Sequence, residues 1–187
     1  MNFAPGGIIR LVHSYSDLYV EGWDQPVVEI TEIKSMPYNY RLKHPDQATQ
    51  HVDRVTIHMD RRSDSELEIS TTAIRGVAVE YQIHVPRESR LAIQHGTGYV
   101  FVNDVIGDID AAARRGDIML MLQDRGAYMI DAKAKFGTIS SDFEGSAQMT
   151  RYRLGERYVT GTSPAHKIHL RMGFGGITIK AIPRTRN

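Results

Sequence analysis

Three aspartates, Asp108, Asp110 and Asp117, come nearest in this sequence to a catalytic arrangement of side chains. On a β-strand, Asp108 and Asp110 would share one face and lie roughly 6.6 Å apart, at ~3.3 Å per residue. That separation approaches the distance between the two carboxyl groups of inverting glycosidases. The spacing therefore raises the hypothesis of a carbohydrate-cleaving site, although outward strand positions are also where solvated carboxylates ordinarily stand.

Further aspartates could extend this acidic row, and arginines are expected at nearby corners. Some β-helical polysaccharide lyases combine carboxylates, calcium and arginines in such a row, so the hypothesis predicts a groove that holds calcium between Asp108, Asp110 and Asp117. The additional candidates are Asp131, Asp142, Arg114, Arg115 and Arg125.

The sequence contains no motif of an established catalytic chemistry. It has no cysteine, which excludes thiolate zinc sites and cysteine nucleophiles. No His-Glu-x-x-His or Gly-Lys dipeptide occurs, so the zinc-protease and phosphate-loop signatures are missing as well. We therefore predict a protein that is not an enzyme and that requires neither a cofactor nor a metal.

Four apolar side chains form the alternative candidate site. Tyr99, Phe101, Met119 and Met121 alternate with interior residues along two neighbouring strands and should point outward. Exposed apolar patches on soluble proteins mark contact surfaces. The pattern predicts a contact surface for a protein, a glycan or a second copy of this chain, unless the segments 35–50 or 146–164 lie across it.

Glycine-punctuated strands must position both candidate sites. Short alternating segments follow glycines 98, 107, 116, 126 and 137, which are 9, 9, 10 and 11 residues apart. Near-constant steps of this kind indicate a structural repeat, and the apolar period of 2 excludes helices. We expect glycines 98, 116 and 137 to stack at one corner, and glycines 107 and 126 at the opposite one.

The alternation also divides the repeat into an interior and an exterior face. Because each strand is too short to bury a face alone, stacked copies are needed to form a continuous core. This predicts a parallel β-solenoid with about two strands per rung, in preference to an antiparallel meander, whose Asn-Gly or Asp-Gly turns are absent here. The predicted interior residues are Val100, Val102, Ile109, Ala111, Ile118, Leu120, Leu122, Tyr128, Ile130, Ala132 and Ile139.

The chain as a whole is predicted to be one all-β domain over residues 1–187. Residues 1–88 form a less regular β-rich part with an excursion at 35–50, and no helix is predicted. Residues 89–145 hold the regular repeats, 146–164 are expected to form a lateral loop, and 165–183 are expected to form a closing rung.

Charge and hydropathy limit the classes of partner and the cellular locations that the sequence allows. The net charge of +1 gives no electrostatic reason to expect a nucleic-acid partner. The longest apolar run, 118–122, is far shorter than the ~20 residues that cross a bilayer. Residues 1–7 do not form a signal peptide, which leaves a cytoplasmic protein or a mature or truncated exported one.

Taken in order along the chain, these features resemble the bacterial putative-adhesin domain family, a domain of unknown function with glycine-punctuated β repeats. The matching segments are 7–11, 17–24, 81–86 with 91–93, the Gly-Asp-Ile repeats at 107–109 and 116–118, and 176–179. The resemblance implies a parallel β-solenoid in an exported, envelope-associated setting, with an export signal or anchor ahead of the first strand. It implies no catalytic residues.

Three functions follow as hypotheses. The first is a non-catalytic, adhesin-like scaffold or binding module of the cell envelope, and the second is a carbohydrate-active β-helix enzyme that uses the acidic row. The third is a sensory or assembly domain detached from a membrane anchor.

Overall fold

A computed structural model describes residues 1–72, 74, 76–123, 128–143, 148–161 and 166–182. Strands make up 64% of the chain and helices 8%, which confirms the predicted all-β class. The elements in chain order are β1 (Ile8–Ser14), β2 (Asp17–Trp23), β3 (Glu29–Ser35), α1 (Tyr38–Lys43), α2 (Pro45–Asp53), β4 (Ile57–Ser63), β5 (Glu66–Thr71), β6 (Ala78–Pro86), β7 (Arg90–Asn103), β8 (Ile109–Leu122), β9 (Tyr128–Phe136), β10 (Ile139–Ser141), β11 (Gln148–Arg151), β12 (Glu156–Thr160), β13 (His166–Phe174) and β14 (Ile177–Ala181).

The strands of the described residues belong to one sheet, whose parallel pairings form two series. The first strip runs β5–β1–β7–β8–β13–β9 and uses residues 90–97 of β7 and 109–115 of β8. The second strip runs β6–β2–β7–β8–β14–β10 and uses residues 98–103 and 116–122 of the same two strands. The long strands β7 and β8 therefore contribute to both strips.

Among the described residues, antiparallel strands extend three of the four ends of these series. They are β4 on β5, β3 on β6, and β12 on β9 with β11 beyond it. The prediction of a purely parallel arrangement is therefore wrong at these ends. Short connections account for the β4–β5 and β11–β12 hairpins, whereas β3 and β12 pair with β6 and β9 across longer stretches of chain. The meander alternative is wrong for the regular repeats, since β7 and β8 pair in parallel over their whole length.

A single hydrophobic core receives the inward side chains of both strips. The eleven predicted interior residues are all buried, as the period-2 alternation requires. The N-terminal half supplies equally buried residues, among them Ile9, Leu11, Val20, Ile69 and Ile83. Both halves of the sequence thus share one core.

A column of corner residues joins the two strips. Gly98 packs on the carbonyl of Ser16, Gly116 on Gly98, Gly175 on Gly116 and Gly137 on Gly175, and all five residues have positive φ. A Cβ on Gly116 would lie 1.9 Å from the carbonyl oxygen of Gly98, so no larger residue fits there. Glycines 98, 116 and 137 share this corner as predicted, with Gly175 inserted between the last two.

The predicted pairing of Gly107 with Gly126 cannot be followed in the same way, because Gly126 lies outside the described residues. Gly107 itself packs against the carbonyl of Ser89, from which an added Cβ would lie 2.1 Å away.

Two segments that the sequence suggested were loops contain regular elements. The excursion at 35–50 forms most of α1 and α2, which are short and have little apolar periodicity, although Ala48 and the following Val55 are buried in the core. The lateral loop predicted at 146–164 contains the β11–β12 hairpin, which extends the first strip beyond β9. Tertiary packing, rather than local pattern, forms both elements.

Candidate functional site

The second strip brings the four predicted contact residues together on its outer face. Phe101 of β7 is directly opposite Met119 of β8, while Tyr99 and Met121 lie two residues away along the same strands. All four side chains are half-buried, whereas the residues that alternate with them are buried in the core. The period-2 pattern therefore placed them on a common exterior face.

A fifth residue, Tyr19, completes this surface. It lies on β2 opposite Phe101, with the two ring centroids 5.9 Å apart and the ring planes inclined at 52°. We call Tyr19, Tyr99, Phe101, Met119 and Met121 the aromatic face. Tyr19 could not be predicted from the sequence, because it pairs with Phe101 across 82 residues and no local signal encodes a pairing of that length.

Polar side chains border the aromatic face on the β6 side. Gln82 donates a 2.7 Å hydrogen bond to Glu80, and Asn103 donates a 3.3 Å bond to Glu21. Together with Tyr19 and Phe101, the residues Glu21, Glu80 and Gln82 line a depression of about 420 Å³. The bonds fix carboxylate and amide groups beside an apolar platform, so the depression offers both stacking and hydrogen-bonding contacts.

Tyr19 keeps its proton in this setting. Burial raises the pKa of its hydroxyl, and the negative charges of Asp17 and Glu80 raise that pKa further. The phenol therefore stays neutral at physiological pH and can donate a hydrogen bond to a ligand oxygen.

The three aspartates of the acidic row are divided between the two strips. Asp108 and Asp110 line a depression of about 510 Å³ on the first strip, whereas Asp117 lies opposite Tyr99 on the second strip. Among the described residues, which include all three, no group of His, Asp or Glu side chains is arranged to hold a metal ion. The structure therefore does not bring Asp117 together with Asp108 and Asp110, as the enzyme hypothesis expected.

Two of these aspartates bond to the backbone of the neighbouring strand connection. Asp108 accepts the N–H of Lys167 at 2.8 Å, and Asp117 accepts the N–H of Gly176 at 2.7 Å. Asp17 accepts the N–H of Tyr99 at 3.0 Å in the same manner. The Gly-Asp-Ile repeat thus carries a corner glycine, a carboxylate that bonds across the stack and a core residue.

Asp131 is the most strongly held carboxylate on the first strip. Arg157 donates two hydrogen bonds of 3.1 Å to it, and Arg171 donates another of 2.9 Å. Burial raises the pKa of this carboxyl, but the hydrogen bonds and charges of the two arginines outweigh burial and hold the pKa well below its ordinary value. Asp131 is therefore an ionised anchor of the strip rather than a proton donor.

The remaining charged candidates are dispersed. Asp142 pairs with Lys180 at 3.1 Å at the end of the second strip. Arg114 and Arg115 lie on the first strip, and Arg125 lies outside the described residues. Trp23, the single tryptophan, stacks on His84 with ring centroids 5.0 Å apart and donates to the Val27 carbonyl, as a corner anchor would.

Within the described part of the chain, no helix has the length and apolar character needed to cross a membrane.

Comparison with known proteins bears on the fold. No protein-family model matches this chain, and no curated protein sequence matches it significantly. Its structure is similar to the crystal structure of a protein described as a putative cell adhesion protein from Clostridium sporogenes. The TM-score is 0.55 at 13% sequence identity, and the match covers 97% of each chain. A likeness at this identity shows a shared all-β fold over nearly the whole length.

Proposed function

We propose that this protein is a non-catalytic, adhesin-like binding module that takes a glycan on the aromatic face. One observation carries the proposal: Tyr19, Phe101 and Met119 lie side by side on three adjacent strands, with Glu80, Gln82 and Glu21 at their border. An apolar platform suits the C–H face of a sugar ring, and the adjoining carboxylates and amides suit its hydroxyl groups.

The proposal includes a β-solenoid scaffold with about two strands per turn. In this interpretation β1 with β2, β5 with β6, β9 with β10 and β13 with β14 are turns, and β7 and β8 are each a turn by themselves. The two strips share one core and one corner column, which supports this winding. Such a scaffold would present the aromatic face on a rigid surface.

An envelope-associated or extracellular setting is part of the same proposal. It is supported by the resemblance of the repeats to the putative-adhesin domain family and by the description of the Clostridium sporogenes neighbour as a putative cell adhesion protein. The proposed function includes neither a cofactor nor a nucleic-acid partner.

The absence of catalysis is likewise a proposal. It is supported by the roles of Asp108 and Asp117, whose carboxylates accept backbone N–H groups across the stack. Asp131 is held ionised by Arg157 and Arg171. A general acid needs a raised pKa near the working pH, and the two arginines lower the pKa of Asp131 instead.

The experiment is a screen of the purified protein on a glycan microarray, followed by affinity measurement with the tightest neutral oligosaccharide. We expect the variant Phe101→Ser/Met119→Ser to bind roughly tenfold or more weakly, because it loses the stacking platform. The control variant Tyr38→Ser/Met59→Ser removes an aromatic ring and a methionine from exposed positions elsewhere and should bind like the wild type.

Equal binding by the two variants would remove the aromatic face from the proposal. Failure of every neutral glycan to bind would contradict a glycan as its occupant.

A further inference from the structure

The first strip carries a second depression, separate from the aromatic face and from the depression that Asp108 and Asp110 line. It has a volume of about 560 Å³ and lies across β7, β8, β13 and β9. Gly96, Ala112 and Gly173 form its floor, and the ring of Tyr15 lies across Gly96 at one side. These small residues alternate with the long side chains of Gln94, Arg114 and Arg171 across the strands, so the floor lies close to the backbone between those side chains.

Every charged side chain that lines this depression is cationic. They are Arg114, Lys133, Lys135 and Arg171, and we call the depression with these four residues the basic groove. Arg114, Lys133 and Lys135 are exposed and form no ion pair within the described residues, while Arg171 pairs with Asp131 at 2.9 Å. With a net charge of only +1, the protein concentrates positive charge at this place.

The register arranges these cations in two rows. Arg171 is directly opposite Lys133, and Arg114 and Lys135 lie in the next outward row along their strands. Adjacent strands are ~4.8 Å apart, and successive outward residues of one strand are roughly 6.6 Å apart. A linear chain that carries a carboxylate on each repeating unit could therefore meet several cations while it crosses the strands.

The aromatic pair at the end of the groove is engaged in contacts within the protein. Phe136 and Phe174 stack on each other at the end of the groove, with ring centroids 4.6 Å apart and planes inclined at 7°. Lys135 lies 5.5 Å from the Phe136 ring centroid, and Arg115 lies 5.9 Å from that of Phe174. Single-stranded nucleic acids bind on open aromatic platforms, so this pair does not favour them.

We infer that the basic groove binds an acidic polysaccharide through the carboxylates of its uronic-acid units. Arg114 would form the paired hydrogen bonds that a guanidinium makes with a carboxylate, and Lys133 and Lys135 would supply further charge. The small residues of the floor admit the sugar chain between these side chains. This site is independent of the aromatic face.

Titration calorimetry with an oligogalacturonate at low salt tests the inference. The same oligomer with its carboxylates methyl-esterified is the matched ligand control, and an oligothymidylate is the nucleic-acid control. We expect the free acid to bind and both controls to bind at least about tenfold more weakly. We expect the variant Arg114→Gln/Lys133→Gln to bind roughly tenfold or more weakly. A loss of this size corresponds to about one charge-assisted hydrogen bond.

Two further variants separate groove binding from general charge. Arg41→Gln/Lys43→Gln removes the same charge from exposed positions on α1 and should keep wild-type affinity. Ala112→Gln leaves the charge unchanged but fills the exposed floor, and it should weaken binding. Phe101→Ser/Met119→Ser should bind the oligogalacturonate normally, so failure here is distinguishable from failure at the aromatic face.

The inference is overturned if the free acid does not bind, if the ester or the oligothymidylate binds as tightly, or if both charge-removing variants lose affinity equally. It is also overturned if Arg114→Gln/Lys133→Gln keeps wild-type affinity while its circular dichroism spectrum and melting temperature show that it is folded.

Discussion

Gly116 lies in the middle of the corner column, where there is no space for a side chain. Its φ of +122° disfavours any other residue, and its missing Cβ would collide with the Gly98 carbonyl. We predict that Gly116→Ala lowers the free energy of unfolding by about 3 kcal/mol or more through strain and overpacking together. Urea unfolding measures the loss.

Gly6→Ala is the matched control for this substitution. Gly6 also has a positive φ, of +73°, but nothing lies within 4 Å of an added Cβ. It should cost only about 1–2 kcal/mol, the strain of the left-handed conformation alone. If Gly116→Ala costs no more than Gly6→Ala, the close stacking of the corner residues is refuted.

The ion pairs of Asp131 should make the stability of the protein depend on pH. Its folded pKa lies below the ordinary unfolded value of about 3.9, so its ion pairs stabilise the protein above that pH. The stabilisation is lost as the pH falls from the unfolded towards the folded pKa. Asp131→Asn should therefore destabilise by about 1–2 kcal/mol at pH 7, and the difference from wild type should shrink between pH 5 and pH 3.

Asp64→Asn is the control for this pH effect, since the Asp64 side chain is 96% exposed beside Arg61. An exposed pair of this kind should change stability by less than about 1 kcal/mol. An Asp131→Asn difference that stays constant from pH 7 to pH 3 would show that the carboxylate charge is not what the arginines stabilise.

The β11–β12 hairpin closes the β9 edge of the first strip and covers one end of the core. Tyr158 of β12 is buried, and its hydroxyl donates a hydrogen bond to the Phe143 carbonyl. We predict that Tyr158→Ala lowers the free energy of unfolding by about 3–5 kcal/mol. It should also promote aggregation through the loosened edge, as light scattering measures.

Tyr152→Ala is the matched control in the same hairpin, because Tyr152 is 55% exposed. It should change stability by no more than about 0.5 kcal/mol. Equal effects of the two substitutions would mean that the hairpin does not cover the core.

At the scale of elements, the sequence predicted the strands better than their partners. Alternation identified which residues of β7 and β8 face inward, because side-chain direction follows from period 2 alone. It missed α1 and α2, whose sequences are short and polar and include a single buried apolar residue among those described, Ala48 of α2. It also missed Tyr19, because parallel registers depend on long-range packing rather than on local turns.

At the scale of the whole molecule, the order of the strands could not be predicted. The last pair, β13 and β14, lies between β8 and the β9–β10 pair, and β5 with β6 lies outside β1 with β2. Equal steps between glycines suggest sequential stacking, but they do not determine where the closing pair inserts. The aromatic face and the basic groove depend on this order, because each brings together residues that are distant in sequence.

Binding at the aromatic face is the central claim, and methionine-methyl NMR tests it most directly. A spectrum of protein labelled at the methionine methyl groups would be titrated with the tightest-binding neutral oligosaccharide from the array. We predict that the Met119 and Met121 signals shift as oligosaccharide is added and stop shifting once the protein is saturated. The signals of Met59 and Met149, which are exposed elsewhere, should stay in place. Unchanged Met119 and Met121 signals at saturating ligand would contradict the account.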